Sequence, residues 1–448
     1  MQTKHTRRQF LRSTLYSASA LALTRTLGCS TNRRIAQTRP PLKPIENVRI
    51  GFVGVGSRGS HLLGILLGIE NVQIKALCDI LPRRVAIATQ KVKQAGRPAP
   101  AAYSKGPTDF RRMCETEDLD LVITATPWRW HTPVCLSAML NGKHAATEVP
   151  AAVTTAECWQ LVETAQKTRR HCVMLENCCY GRYEMMILNM VRKGLLGDVV
   201  HAEAGYMHDL RELKFNHNAC QGLWRLQHSI ERDGNLYPTH GLGPVAQCMN
   251  IDRGDRFDYL VSMSTLSQGL NLYASEHFGP DHQHTTRKYA LGDVNSTLIK
   301  TVRGRTIVLQ HDCDTPRPYS RINIVQGSKA IVRSYPEPRI YIEGLSPTPH
   351  QWQDLEDYAA EYEHPLWKQE HARAEGSGHG GMDYMVLYRL IKCLQKGQTP
   401  DMDVYDAAAW SVVAPLTERS VAQKSRPINF PDFTKGAWKT RTPLQIIS

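Results

Sequence analysis

Residues 48–59 read Val-Arg-Ile-Gly-Phe-Val-Gly-Val-Gly-Ser-Arg-Gly, an apolar run closing on spaced glycines. A near-continuous apolar run marks a strand buried on both faces, as in a parallel sheet. Gly54, Gly56 and Gly59 satisfy G-x-G-x-x-G, and each glycine has its own task. Gly54 permits a tight turn, Gly56 lets backbone approach a pyrophosphate, and Gly59 allows a helix to pack closely on the strand. A helical pattern through 62–67 and a second strand-like run, 72–80, follow, with Asp79 twenty residues beyond Gly59. A carboxylate there accepts hydrogen bonds from the adenosine ribose and repels a 2′-phosphate, so the segment predicts NAD over NADP. Arg83 and Arg84 temper that preference.

Outward from this unit, strand-like and helical runs alternate: a helical 82–95, a strand at 120–127, a helical 132–141, a strand at 143–150, a helical 154–168 and a strand at 171–177. The alternation predicts βαβ units and a doubly wound parallel sheet of the Rossmann type, an α/β architecture. Ligands of such sheets sit beyond the carboxyl ends of the strands. The third of these ends in Trp128-Arg129-Trp130-His131, which should lie along the cofactor, and Glu148-Val149 and Asn177 end the next two, near the nicotinamide. Trp128 and Trp130 read equally well as packing beneath a loop.

After about residue 185 the pattern becomes period-two runs with turn signals at Arg303-Gly304 and Gln326-Gly327, predicting an α+β domain with a large mixed or antiparallel sheet. Helical pattern returns at 382–396 and 403–424. The expected organisation is a leader and linker (1–45), a dinucleotide-binding domain (46–180), a substrate domain (181–375) and C-terminal helices and tail packing back on the first domain (376–448).

The 448 residues suffice for two or three domains, and 42% hydrophobic with 22% charged residues is ordinary for a globular chain. The net charge of +13 is misleading. Residues 1–45 hold nine Lys/Arg and no acid, and setting them aside leaves 46 basic against 42 acidic residues. Nucleic-acid binding thereby loses its support. The leader's Arg7-Arg8, with Phe10-Leu11 and a short apolar run over 15–23, resembles a twin-arginine export signal and predicts a periplasmic or cell-surface location without a membrane span. Cys29 is a candidate lipid acceptor, but Thr26 rather than leucine stands three residues before it, so cleavage without lipidation fits comparably well. The other eleven cysteines are scattered in apolar runs, as small buried hydrophobes are. No zinc spacing occurs, and no metal is expected. Glu276-His277 with Asp281-His282-Gln283-His284 reads as a solvated loop, and Asp354, Glu356, Glu361 and Glu363 as an exposed acidic segment.

With these segments in place, the chain resembles the glucose–fructose oxidoreductase-like superfamily of NAD(P)-dependent sugar enzymes. More closely it resembles glycoside hydrolase family 109, the NAD-dependent α-N-acetylgalactosaminidases. The resemblance runs from about Val48 to the C-terminus and rests on GVGSRG, PWRWH, EVP (148–150), LEN (175–177), Trp224-Arg225, YPTHGLGPVAQ from Tyr237, HGGMD (379–383) and PDFTKG (431–436). Oxidoreductases of the wider superfamily carry Glu-Lys-Pro where this chain has Glu148-Val149-Pro150. The missing lysine disfavours simple dehydrogenase chemistry.

The resemblance implies that Ser57, Arg58, Asp79, Trp128, Arg129, Trp130, His131, Glu148, Val149 and Asn177 contact NAD, and that Tyr206, Arg225, Tyr237, Pro238, Thr239, His240 and Tyr319 face the sugar. His240, Tyr237, Tyr206 and Tyr319 are the implied catalytic set. From the residues alone, Thr239 is a candidate N-cap for a helix over 242–249, and His240 at that terminus would stay neutral as a base. Half-buried packing for the tyrosines and a surface or capping role for His240 are the competing readings.

Ordinary glycosidases use two carboxyl groups, and NAD-dependent ones are exceptions. The route the resemblance implies takes a hydride from C3 of the sugar and removes the acidified C2 proton. It then expels the C1 leaving group, adds water and returns the hydride. The expected partner is a small-molecule or glycan substrate, with homo-oligomerisation left open. An NAD-dependent sugar oxidoreductase and a non-catalytic exported sugar-binding protein are the alternatives.

Overall fold

The computed structural model describes residues 43–444 and 446. The expected export signal and Cys29 lie outside them. Six strands, β1 (Val48–Val53), β2 (Val72–Cys78), β3 (Ala101–Tyr103), β4 (Leu121–Thr124), β5 (His144–Thr147) and β6 (Cys172–Met174), form a parallel sheet in the order β3-β2-β1-β4-β5-β6. Ile50, Phe52, Leu121 and Ile123 are wholly buried, as strands covered on both faces require. The helices α1 (Ser57–Leu67), α2 (Pro82–Gln94), α3 (Asp109–Thr116), α4 (His131–Leu140) and α5 (Thr155–Thr168) connect them. Thr154 and Glu157 close a reciprocal capping box at the start of α5. The strand order reverses between β1 and β4, which opens a crevice at their carboxyl ends.

After α6 (Arg182–Arg192) comes a nine-stranded mixed sheet of β7 (Val199–Met207), β8 (Phe257–Ser264), β9 (Val294–Thr301), β10 (Thr306–Asp312), β11 (Ile324–Gly327), β12 (Ala330–Arg333), β13 (Arg339–Ile342), β14 (Gln353–Asp354) and β15 (Ile428–Asn429). Its order is β14-β13-β12-β11-β7-β10-β9-β8-β15, with β7 and β10 parallel and the other pairs antiparallel. One face carries exposed Val200, Tyr259, Met263 and Leu298. The other is covered by α9 (Thr239–Cys248), which follows α7 (Arg211–Phe215) and α8 (Trp224–Glu231) and packs on β7.

The remaining helices are α10 (Gly269–Phe278), α11 (Ala359–Tyr362), α12 (Pro365–Ala374), α13 (Met382–Gln395), α14 (Val404–Ser411) and α15 (Val413–Ala422). Of the last three, α13 lies on α1 and β1, α14 on α5 and β6, and α15 on β8 of the second sheet. The helical run expected over 403–424 is thus two helices.

Two sequence expectations are corrected. The stretch at Glu276-His277 ends α10 and is no loop, while His284 is buried with its Nδ1 3.1 Å from the Tyr289 hydroxyl. The acidic segment is not merely solvated, because Glu356 and Glu363 both engage the Arg182 guanidinium. All eleven cysteines among the described residues are buried free thiols. No helix among the described residues is long and apolar enough to cross a membrane.

Candidate active site

A cleft of about 800 Å³ runs from the glycine loop, along the carboxyl ends of β1, β4 and β5, to the face of β7. The loop's geometry follows from its glycines. Gly54 has φ +82°, and a Cβ there would lie 2.9 Å from the Ala125 backbone; a Cβ at Gly59 would lie 1.8 Å from the Gly54 carbonyl oxygen. Only glycine lets α1 start this close to β1. The N-terminus of α1 has no side-chain cap and no acid in its first turn, so its N–H groups are available to an anion. Arg84 reaches across Gly56, and the buried Asp79 fixes the loop by accepting the Val55 N–H at 3.0 Å and the Leu81 N–H at 2.9 Å. This cradle fits a dinucleotide, with the diphosphate over Gly56-Ser57 and the adenosine beside Asp79.

Arg58, expected on the cofactor, lines the cleft and is held there by three hydrogen bonds to protein, which leave one N–H on each Nη. Nε binds Glu148 at 2.7 Å, and Nη1 and Nη2 bind Asp383 at 2.6 and 2.9 Å. Asp383, at the start of α13, has a fully buried side chain and also receives Asn177 Nδ2 at 2.7 Å, His379 Nδ1 at 2.7 Å and His61 Nε2 at 3.0 Å. Burial alone would raise its pKa, but His379 and Arg58 overcome that and hold the carboxyl well below the ordinary range. His131 is likewise committed. Its ring nitrogens lie 2.7 Å from the Pro150 oxygen and 2.8 Å from the Thr126 oxygen, so it pins the two loops together beneath the cleft.

The far wall is aromatic. Tyr237 stacks on Trp128 with centroids 5.6 Å apart and meets Tyr206 at 4.6 Å. The Arg225 guanidinium lies over Trp224 at 4.6 Å, Trp128 at 5.2 Å and Tyr237 at 5.8 Å. Three ring faces hold this cation while leaving its N–H edge for a polar ligand. Burial pushes the Tyr206 and Tyr237 hydroxyls up, so both keep their protons at any working pH.

His240 completes the wall, 5.2 Å from the Tyr206 ring and 4.9 Å from that of Tyr237. Its Nδ1 lies 2.6 Å from Oε1 of Glu176, whose side chain is fully buried. Burial would raise the Glu176 pKa; His240, the Thr239 hydroxyl and the Cys178 N–H outweigh it and hold the carboxyl below its usual range. Glu176, Cys178 and His240 bring three potential ligand atoms within 4.8 Å of one another. The thiol, however, is directed at Asn177 Oδ1 at 3.5 Å and burial pushes its pKa well up, so no thiolate is offered to a metal.

The cleft therefore gathers Gly54, Gly56, Ser57, Arg58, Asp79, Trp128 to His131, Glu148, Val149 and Asn177 with Tyr206, Arg225, Tyr237 and His240. Gly59, Pro238, Thr239 and Tyr319 do not line it. Tyr319 is exposed beside the wall, its ring 5.0 Å from His208 and its hydroxyl accepting from Arg321 at 3.0 Å. Thr239 does not cap α9: it is the first helical residue, after Pro238, and its buried hydroxyl helps to hold the Glu176 carboxyl ionised. The sequence reading missed Glu176, His208, Trp224, His379 and Asp383. Glu176 ends a parallel strand beside Asn177, a position signal available in the sequence; its partner 64 residues away is not.

Residues 48–176 match the oxidoreductase family with an NAD-binding Rossmann fold, and residues 180–440 match the C-terminal domain of glycosyl hydrolase 109. A glycosyl hydrolase family 109 protein of Shewanella pealeana is 46% identical, covering 99% of each chain. A protein of Shewanella oneidensis named α-N-acetylgalactosaminidase is 47% identical over 90% of this chain and 88% of its own. Among solved structures, a levoglucosan dehydrogenase with NADH and levoglucosan superposes with TM-score 0.67 over 86% of this chain and 100% of its own, at 16% identity. An inositol dehydrogenase homologue with NAD⁺ from Azotobacter vinelandii gives 0.65 over 87% and 99%, at 18% identity. At these identities the likeness shows the fold alone.

Proposed function

The chain belongs to glycosyl hydrolase family 109, and from that membership we propose that it cleaves α-N-acetylgalactosaminides with a retained NAD and no net redox change. The observation that carries this reading is the continuity of one cleft, from a dinucleotide cradle to a wall holding His240, Tyr206, Tyr237 and Arg225. Among the described residues no pair of free carboxylates flanks that wall; Glu148 is held by Arg58 and Glu176 is buried behind His240. Bound NAD⁺ supplies an acceptor for the C3 hydride and its later return, which makes the C2 hydrogen acidic in between.

The protein's residues do the rest. His240, with Nδ1 on Glu176, has Nε2 left for the cleft and takes the C2 proton there. Tyr206 and Tyr237, which keep their protons, donate to sugar oxygens, Tyr206 toward the departing one. Arg225 presents N–H groups to substrate oxygens. Val149, in the place of the superfamily's lysine, offers no amine for simple alcohol oxidation. Tyr319 packs edge-on against His208 and Tyr206 and orders both. The named activity of the Shewanella oneidensis relative supports the substrate class. Export through the twin-arginine route belongs to the same proposal. It is supported by Arg7-Arg8 and by the free thiols, which suit folding before transport; fractionation with Arg7-Arg8 changed to lysines tests it.

Purified protein should retain NAD and release nitrophenol from an α-N-acetylgalactosaminide without accumulating NADH. Substrate carrying deuterium at C2 should lose it to ordinary water during cleavage. NADH formed stoichiometrically with free sugar would instead identify a sugar oxidoreductase, and binding without turnover a sugar-binding protein.

A further inference from the structure

Glu176 belongs to the wall's hydrogen-bond system without lining the cleft. Its side chain is fully buried at the end of β6, and the imidazole of His240 stands between it and the cleft. Oε1 accepts twice, from His240 at 2.6 Å and from the Cys178 N–H at 3.1 Å, and the Thr239 hydroxyl on the same helix as His240 further favours the ionised carboxyl. A carboxylate kept ionised in the interior is costly even with donors around it. Packing alone gives no reason for the charge. An ionised carboxylate only accepts, so the hydrogen on the neutral imidazole sits on Nδ1, and Nε2 faces the cleft with a bare lone pair.

The approach is also built into the backbone. A Cβ at Gly241 would lie 2.5 Å from the Gly205 backbone, and one at Gly243 would lie 2.8 Å from Cys179 Sγ and 3.1 Å from Glu176 Cγ. Small residues on α9 thus let the helix carry His240 down onto Glu176 and alongside Tyr206.

Resting on the function proposed above, we infer that Glu176 is the positioning residue of the reaction: it fixes the His240 tautomer and balances the imidazolium formed when Nε2 takes the proton. In that step the C–H bond at C2 breaks, the proton bonds to Nε2, and the electron pair remains on the sugar. The cation is paired at once with the carboxylate behind it.

The test is a double-mutant cycle in NAD-loaded full-length protein. Glu176→Gln keeps the side chain's size and an acceptor for Nδ1 but removes the charge. Its kcat should fall about 10²–10⁴-fold, with KM and bound NAD within about twofold of wild type. Glu176→Asp should recover part of the loss. In a His240→Ala background, Glu176→Gln should cost nothing further, because a group acting through His240 has nothing left to act on. Near-normal kcat in Glu176→Gln, or a full multiplicative loss in the double variant, overturns the inference. Should Glu176→Gln lose NAD or fail to fold, ¹⁵N spectra of the wild-type imidazole decide. Hydrogen on Nδ1 with bare Nε2 supports the inference, and hydrogen on Nε2 overturns it. If wild type cleaves no glycoside, the functional reading has failed, and the same spectra still judge the role of Glu176.

Discussion

Asp252 shows how a single buried group sets its own pH dependence. It sits in the left-handed region at φ +59°, is buried, and has an Oδ2 without a hydrogen-bond partner. Burial, reinforced by Asp406, pushes its pKa up to about 8. The folded state therefore holds this proton more tightly than the unfolded chain does. Stability is lost as pH climbs from the ordinary carboxylate value through about 8. Asparagine tolerates the same backbone and carries no charge. Asp252→Asn should raise stability by about 1–3 kcal/mol, with the larger gain at pH 9 than at pH 5; melting curves at the two pH values check it. An equal or absent gain would place the strain elsewhere. At this scale the sequence named cleft residues better than it paired them. Arg58 and His131, expected on the cofactor, line the cleft, but the protein partners that hold them there were not legible. Which side chain a guanidinium reaches depends on segments hundreds of residues away.

At the scale of elements, five of the first sheet's six strands were legible because an apolar run buried on both faces has no alternative use, whereas β3, three residues long with Ala102 exposed, carries no such run. The glycine loop was legible for a related reason: the tasks of Gly54 and Gly59 are steric, and sterics act within a few residues. The second sheet's class could be read from its period-two runs, but its order could not. Strand β7 lies between β10 and β11, pairing His201 with Thr306, and no local signal announces that partner. The start of α9 was misplaced because Thr239 resembles a cap, whereas Pro238 ahead of it turns helical and the hydroxyl is buried. What matters about α9 is its small residues. Gly241→Ala adds a methyl 2.5 Å from the Gly205 backbone, so the helix must move off β7 and take His240 with it. Activity should fall by at least about tenfold while bound NAD stays near wild type, because the cradle is on the other sheet. Measured kcat and NAD content check it; unchanged activity would mean that α9 yields without moving His240.

Across the whole molecule, the two ends of the described chain meet at the cofactor cradle. Asp383 lies 325 residues from Arg58, yet their side chains make two hydrogen bonds, and the same carboxylate collects Asn177, His61 and His379. The HGGMD segment was visible in the sequence without a role, since its five residues say nothing of β1 or β6. In the fold it closes the cradle: α13 packs on α1 and β1, and His379 lines the cleft above Arg58. Breaking one partner of a buried charge network typically costs about 3–5 kcal/mol. Asp383→Asn should therefore lower the melting temperature and, more tellingly, reduce the NAD that remains bound through purification, measured after denaturation as cofactor per chain. The pH sign agrees. Because the folded Asp383 carboxyl lies below its ordinary value, its contribution is complete above the usual carboxylate pKa and is lost as pH falls below it. Wild type should then surrender NAD on strong acidification, and Asp383→Asn should show a smaller acid-dependent loss. Full NAD occupancy and an unchanged melting temperature in the variant would show that the C-terminal segment closes the cradle without help from this carboxylate.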